Sequence, residues 1–183
     1  MNYNGQIMQK AIFLDRDGVI NIEKNYVSKI EDFQFIDGVF DTLKHLQNSG
    51  YKLFIITNQS GIGRGYYTKD DFDKLTSWML SEFEKKQISI SQVEHCPHNP
   101  DEMCLCRKPK SGMIDNILKN HKIDLEKSWL IGDKESDILC AKNAGIKSTI
   151  QVKTGHAFAE ENSPADFVCD SIKEVKDIIT PSL

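Results

Sequence analysis

Continuous apolar runs alternate with stretches of helical spacing along this chain, and the switches between them mark its elements. Residues 11–14 (Ala-Ile-Phe-Leu) form an uninterrupted apolar run that stops at two acids, Asp15 and Asp17, followed by Gly18. The run predicts a strand over 10–14 that is buried on both faces. Val39, Leu43 and Leu46 share one face of a predicted helix over 38–49, with Gly50 as its stop. Residues 51–57 (YKLFIIT) read as a second buried strand. Thr68 is placed to cap a helix over 69–86, in which Phe72, Leu75, Met79 and Phe83 repeat at helical spacing as a core-facing stripe. Strands near 92–95, 128–131, 147–152 and 166–169 follow, with helices near 111–121, over 135–144 (stopped by Gly145) and after Asp170. This alternation predicts an α/β sandwich with a mainly parallel sheet. No repeat, low-complexity tract or Gly/Pro-rich linker interrupts it. A chain of 183 residues fits one domain over 1–183, with residues 1–9 expected to be a flexible N-terminus.

Composition narrows the function. A formal net charge of −4 with no block of Lys or Arg disfavours nucleic acid or an anionic membrane as partner. No apolar run approaches the ~20 residues of a membrane span. The first ten residues lack the apolar core of a secretory signal, so the expected location is cytoplasmic. No heptad pattern is evident, and a monomer is expected. The five cysteines are odd in number, and three fall within residues 96–106. In a reducing compartment such crowding reads as metal binding rather than a disulfide framework.

The chemistry lies where predicted strands end, because ligands of an open parallel sheet bind outside the carboxyl ends of its strands. The first strand ends in Asp15 and Asp17, the second in Thr57-Asn58, and a later one in Gly132-Asp133-Lys134 with Asp137 beyond it. Lys108 precedes a proline and a helix. Singly, each has a plainer reading: Asp-x-Asp-Gly as a polar turn, Thr57-Asn58 as a strand-end turn, Asp133 as a helix N-cap. Together they suit phosphoryl transfer through an aspartyl phosphate, since a carboxylate can attack phosphorus and be regenerated by water. Magnesium held by Asp15 and Asp133 would relieve the repulsion between the acids. Thr57, Asn58 and Lys108 would neutralise and orient the phosphoryl oxygens, and Asp17 would serve as general acid and base.

A second constellation is CPHNPDEMCLCRKPK, residues 96–110. Cys96 and His98 form one ligand pair and Cys104 and Cys106 the other, with five residues between His98 and Cys104. Three cysteines and a histidine can close a tetrahedral zinc site; the alternatives are free buried thiols or a redox pair. With four protein ligands the zinc would be structural, stiffening the loop that carries Arg107 and Lys108. Cys140 and Cys169 read as small core residues, and His45, His95, His121 and His156 as surface or packing residues.

The segments FLDRDGVIN, TNQSGIGRGYYT, CPHNP…CLCRKP and IGDKESD together resemble the haloacid dehalogenase-like (HAD) phosphatases. Asp15-Arg16-Asp17-Gly18 matches their first motif, Thr57-Asn58 the second, Arg107-Lys108-Pro109 the third and Gly132-Asp133-Lys134 the fourth. Within that superfamily the chain is similar to phosphatases that remove the C7 phosphate from D-glycero-D-manno-heptose 1,7-bisphosphate. The likeness is close over about residues 10–152 and looser in the tail. It implies a Rossmann-like core without a large cap domain, a small-molecule sugar bisphosphate as substrate, and a role in nucleotide-activated heptose synthesis for lipopolysaccharide core, capsule or S-layer glycan. By motif position Asp15 is the nucleophile and Asp17 the general acid/base. Asp15, Asp133 and the Asp17 carbonyl hold magnesium, and Thr57 and Lys108 stabilise the phosphoryl group. Arg107 serves recognition. Glu23, Lys24, Asn25 and Tyr26 form one substrate loop, Asn58, Gln59, Ser60 and Arg64 lie in a second, and Lys134 contacts the phosphorylated end.

The short spacing between the zinc ligand pairs also resembles the histidinol-phosphate phosphatase domain, which is the alternative reading. Arg64, in Gly61-Ile62-Gly63-Arg64-Gly65-Tyr66, favours a second anionic group on the substrate, because a planar guanidinium binds phosphate well. A zinc-stabilised binding module without catalysis is opposed by the paired aspartates. A phosphatase of DNA 3′ ends would need a basic groove that the sequence lacks.

Overall fold

A computed structural model of the chain describes residues 8–179. In chain order the elements are β1 (Ala11–Leu14), α1 (Val39–Asn48), β2 (Lys52–Asn58), α2 (Ser60–Gly63), α3 (Lys69–Lys85), β3 (Ile90–Cys96), α4 (Gly112–Asn120), β4 (Trp129–Gly132), α5 (Glu135–Ala144), β5 (Ser148–Val152), β6 (Phe167–Cys169) and α6 (Val175–Ile178). The strands form one sheet in the order β3-β2-β1-β4-β5-β6, and every pairing is parallel. The expected α/β sandwich with a parallel sheet is therefore observed, and no inserted cap domain separates the strands.

Period-two alternation divides the strand residues between two cores. Ile12, Leu14, Leu53, Ile55, Ile131 and Ile150 pack with Leu43 and Leu46 of α1 and Leu75, Met79 and Phe83 of α3. Ala11, Phe13, Phe54, Ile56 and Leu130 face the other side, against Met113, Ile114 and Ile117 of α4 and Cys140 and Ala141 of α5. Central strands buried on both faces need continuous apolar runs, which is why β1 and β2 read so plainly in the sequence.

Local chemistry sets the helix ends. The Thr68 hydroxyl accepts from Asp71 N at 3.1 Å while Asp71 Oδ2 accepts from Thr68 N at 2.9 Å, closing a capping box at the start of α3. Gly145 ends α5 in the left-handed region, at φ +81°. Two predicted elements differ from expectation, and α2 was not predicted. β3 begins at Ile90 rather than 92, ahead of a register shift against β2 at Leu53/Phe54. The helix after Asp170 is a 3-10 turn (Ile172–Glu174) running into the four-residue α6. The flexible N-terminus expected for residues 1–9 falls, for 1–7, outside the described residues. Gln9 itself exchanges backbone hydrogen bonds with Lys122 (3.0 Å) and Asp124 (2.9 Å). Among the described residues no helix is long and apolar enough to cross a membrane.

The topology locates the site. From β1 the chain builds outward through β2 to β3, then returns so that β4 pairs with the other side of β1. The connection reverses between β1 and β4, and their carboxyl ends open a crevice there.

Candidate active site

Four side chains from four segments meet at this crevice. Asp15 follows β1, and its N–H still donates to Ile131 O of β4 at 3.0 Å. Asp133 follows β4 and Asp137 lies in the first turn of α5. All three acids are buried, with ligand oxygens within 4.8 Å of one another. Between them sits Lys108, from the loop joining β3 to α4. Its Nζ lies 2.8 Å from Asp15 Oδ1 and 2.7 Å from Asp137 Oδ1, and donates to Ile56 O at 2.9 Å. Three acceptors match the three protons of an ammonium. Burial opposes the charge on Lys108, but Asp137 and Asp15 overcome it and hold the amine well above the ordinary lysine range. Burial pushes Asp15 well above the usual carboxylate range; Lys108 opposes this, and the nearby charges of Asp137 and Asp133 add to it.

Asp133 is held differently. Its Oδ2 accepts from His156 N at 2.8 Å and from His156 Nδ1 at 2.7 Å. Its Oδ1 is buried with no hydrogen-bond partner. Gly18, at φ +85°, lies so close that a Cβ there would stand 2.7 Å from Asp133 Oδ2. Three buried carboxylates against one ammonium leave excess negative charge, and one carboxylate oxygen is free. That donor set fits a hard divalent cation with oxygen ligands. His156, expected as a surface or packing residue, is instead part of this site. His95 and His121 do pack, stacking on Phe72 at 4.2 Å and meeting Phe54 edge-on at 4.9 Å.

Asp17 is held by a separate set of partners. Arg16 donates to it through Nε (3.1 Å) and Nη2 (2.9 Å), Asn21 Nδ2 donates at 3.0 Å and Gln59 Nε2 at 3.0 Å. Burial alone would raise Asp17; the Arg16 charge and these hydrogen bonds overturn that and hold it below the usual carboxylate range. Gln59 also donates to Thr57 Oγ1 at 2.8 Å and accepts from the Tyr67 hydroxyl at 2.5 Å. Burial pushes the Tyr67 phenol up to about 12. Asn58 grips the backbone of Lys108 twice: its Oδ1 accepts from Lys108 N (3.1 Å) and its Nδ2 donates to Lys108 O (3.3 Å). Gln59 and Asn58, expected to meet substrate, thus also position Asp17, Thr57 and Lys108.

Above these groups opens a cleft of about 360 Å³. Glu23, Asn25, Tyr26, Asn58, Gln59, Ser60, Arg64, Arg107 and Lys134 line it together with Asp17 and Lys108. Asp15 and Thr57 line a smaller recess of about 40 Å³, which Asp17 and Lys108 also border. Lys24 is exposed and does not line the cleft. Tyr67 and Ser136 also line it; they lie within the segments TNQSGIGRGYYT and IGDKESD but were given no role of their own, and only the fold brings in His156. The Arg107 Nη1 is buried with no hydrogen-bond partner, so an anion entering the cleft would find a donor. Asn25 and Tyr26 both take left-handed backbone, at φ +57° and +58°, and the Tyr26 ring meets Tyr66 edge-on at 4.8 Å.

Cys96, His98, Cys104 and Cys106 converge as expected, with ligand atoms within 4.8 Å of one another. Cys96 Sγ lies 3.7 Å from Cys104 Sγ and 3.5 Å from His98 Nδ1, which is 3.2 Å from Cys106 Sγ. Zinc–ligand bonds arranged tetrahedrally give S···S edges of about 3.8 Å and S···N edges of about 3.6 Å. The cluster is compatible with zinc. Cys140 and Cys169 are buried in the two cores, as expected.

Acids at the switch point of a parallel sheet, bridged by a buried lysine beneath a polar cleft, are the arrangement that the resemblance to HAD phosphatases implies. A family model described as HAD-hydrolase-like matches residues 105–175. A D-glycero-beta-D-manno-heptose-1,7-bisphosphate 7-phosphatase of Helicobacter pylori is 47% identical over 93% of this chain and 97% of its own length. A D-glycero-alpha-D-manno-heptose-1,7-bisphosphate 7-phosphatase of Campylobacter jejuni is 48% identical over 93% of this chain and 94% of its own. The crystal structure of D,D-heptose 1,7-bisphosphate phosphatase from B. bronchiseptica, complexed with magnesium and phosphate, matches with a TM-score of 0.81 at 26% identity, over 92% of this chain and 97% of that one. The chain belongs to the D-glycero-D-manno-heptose-1,7-bisphosphate 7-phosphatase family.

Proposed function

We propose that this chain hydrolyses the C7 phosphate of D-glycero-D-manno-heptose 1,7-bisphosphate to give heptose 1-phosphate, through an aspartyl phosphate on Asp15. The observation that carries this reading is the buried cluster itself: Asp15 and Asp137 bridged by Lys108, beside an Asp133 oxygen with no protein partner. Asp15 attacks phosphorus, and the bond to the C7 oxygen breaks. Asp17 gives that oxygen its proton, then takes one from the water that cleaves the aspartyl phosphate and restores Asp15. The low pKa of Asp17 in the free cleft is opposed when a dianionic phosphate arrives, because added negative charge favours the protonated carboxyl. Thr57 Oγ accepts from Gln59, which leaves its own proton for a phosphoryl oxygen. Lys108 keeps positive charge beside the nucleophile. Magnesium, which Asp15, Asp133 and the Asp17 carbonyl would hold, supplies charge against the phosphoryl oxygens when bound.

Arg107, with its free Nη1, and Lys134 receive the substrate. Arg64, on the rim, is the group for the C1 phosphate that is retained, with Glu23, Asn25, Tyr26 and Ser60 around the sugar. Zinc in the Cys96–His98–Cys104–Cys106 cluster is structural, since all four positions are protein ligands. Five unpaired cysteines suit a reducing cytoplasm. The protein acts as a monomer, and its product feeds nucleotide-activated heptose synthesis.

The test is phosphate release by the magnesium-loaded protein on both anomers of the heptose bisphosphate and on histidinol phosphate, with Asp15→Asn as control. Preference for a heptose bisphosphate is expected, with turnover in the control reduced by more than about 10³-fold. Preference for histidinol phosphate would overturn the substrate, and unchanged turnover in Asp15→Asn would overturn the nucleophile. Relatives named for either anomer match at similar identity, so the same panel identifies the anomer.

A further inference from the structure

The loop after β5 crosses the cation-binding end of the site, and its contacts there are specific. The Thr154 hydroxyl donates to Gly18 O at 2.6 Å. Gly18 belongs to the turn that carries the Asp17 carbonyl. Gly155 lies so close to Asp133 that a Cβ there would overlap its carboxylate. His156 follows, and its backbone N–H and Nδ1 converge on Asp133 Oδ2 at 2.8 and 2.7 Å. An ionised carboxylate only accepts, so Nδ1 carries the proton of that contact. Both donors fall on one oxygen, and the other, Oδ1, is left buried and unpartnered.

We infer that Thr154-Gly155-His156 is a positioning strap for the divalent cation, fixing Asp133 so that Oδ1 is the ligating oxygen and tying down the turn that presents the Asp17 carbonyl. The inference rests on the reading of Asp133 as a cation ligand and goes beyond it. Neither Thr154 nor His156 touches the reacting atoms; each acts through a ligand. Outer hydrogen bonds to ligating carboxylates orient them, and their loss weakens metal affinity by about 10–100-fold. Gly155 is required because the strap passes directly over the carboxylate. A packing histidine would leave the cation unaffected, whereas a positioning histidine is replaceable by a side chain that donates from the same point. Asparagine does so, since its amide nitrogen can take the place of histidine Nδ1.

The experiment measures Mn²⁺ binding to the zinc-replete protein by the electron paramagnetic resonance signal of free Mn²⁺, without substrate, so that the readout is not turnover. Manganese suits the same oxygen ligands as magnesium. His156→Ala is expected to raise the Mn²⁺ dissociation constant about 10-fold or more. His156→Asn restores affinity to near the native value, and Thr154→Val weakens it in the same direction as His156→Ala. Asp133→Asn separates this inference from its parent reading. Lost binding in Asp133→Asn together with native affinity in His156→Ala would overturn the strap alone. Native binding in Asp133→Asn would overturn the ligand assignment and the strap with it. Equal weakening in His156→Ala and His156→Asn would overturn the role of the Nδ1 proton.

Discussion

Replacing Lys108 by methionine keeps most of the side-chain volume and removes one charge, which isolates what that charge does. In the native protein the ammonium lies 2.8 Å from Asp15 and 2.7 Å from Asp137, and both it and Asp137 are 1% exposed. Removing one partner of a buried ion pair destabilises by about 3–5 kcal/mol, because the remaining charge is stranded away from water. Two charges are stranded here, but the second adds less than the first. Burial already pushes Asp15 well above the usual carboxylate range, and losing the opposing Lys108 pushes it further, which favours its neutral form. The expected loss is therefore about 3–5 kcal/mol in total. At about 2–4 °C per kcal/mol for a chain of this size, Tm should fall by about 6–20 °C. The assay is thermal unfolding followed by circular dichroism at neutral pH without divalent cation. Adding Asp137→Asn to Lys108→Met removes one stranded charge and should recover part of the loss, a coupling of about 0.5–3 kcal/mol. The pH dependence has a definite sign. Asp15 is already held above its unfolded pKa by burial, and without the opposing lysine it rises further, so the folded variant binds more protons in that window. The variant's deficit must then shrink as pH falls from about 8 toward about 4. A Tm within about 2 °C of the native protein at neutral pH would refute the reasoning, since that is less than about 1 kcal/mol. So would a deficit that does not change with pH.

Two further predictions follow from groups around this cluster. Burial raises the Cys96 and Cys106 thiols in the metal-free cluster, so zinc bound there as proposed would displace protons, and its retention should fall as pH is lowered; stripping it with a chelator should lower Tm by at least about 5 °C and reduce turnover through the displaced Arg107 and Lys108. Purified protein without zinc, with full activity and unchanged Tm, would contradict this. Asp17 has a folded-state pKa below its unfolded one, so its stabilising interactions are fully present above about pH 4 and are lost as pH falls through the folded value. Asp17→Asn should therefore be less stable than the native chain near neutrality, with the gap closing in acid; urea unfolding at several pH values measures it, and a gap that widens in acid would count against the Arg16–Asp17 pairing.

The legible parts of this protein were those in which one local rule acted alone. β1 and β2 are central and buried on both faces, so their apolar runs were unambiguous. The acids after β1, the Thr57-Asn58 pair that ends β2 and the Cys/His spacing in residues 96–106 carried chemistry that a sequence displays directly. What escaped was set by tertiary contact. Residues 60–63 (Ser-Gly-Ile-Gly) have poor helix propensity, and α2 is held by the Cys/His loop, with Gly63 N donating to Pro97 O at 2.8 Å. His156 stands in a segment with no periodicity, and only the pairing of β5 beside β4 carries it to Asp133. The partnership of Lys108 with Asp137 was equally hidden, since only the fold brings the loop after β3 against the first turn of α5.

The strand order also has a consequence for how the chain is made. Of the described strands β1 is made first, yet one of its edges stays open until β4 arrives; the bond from Ala11 N to Ser128 Oγ spans 117 residues. An unpaired apolar edge invites pairing with other chains. The nascent polypeptide therefore carries an unpaired apolar edge of β1 until β4 has been made, and such long-range parallel pairing is intrinsically slow. A chain interrupted before residue 129 would keep Asp15, Thr57 and Lys108 yet present a bare strand in place of β4, making a premature stop there a source of aggregation rather than of a harmless inactive fragment.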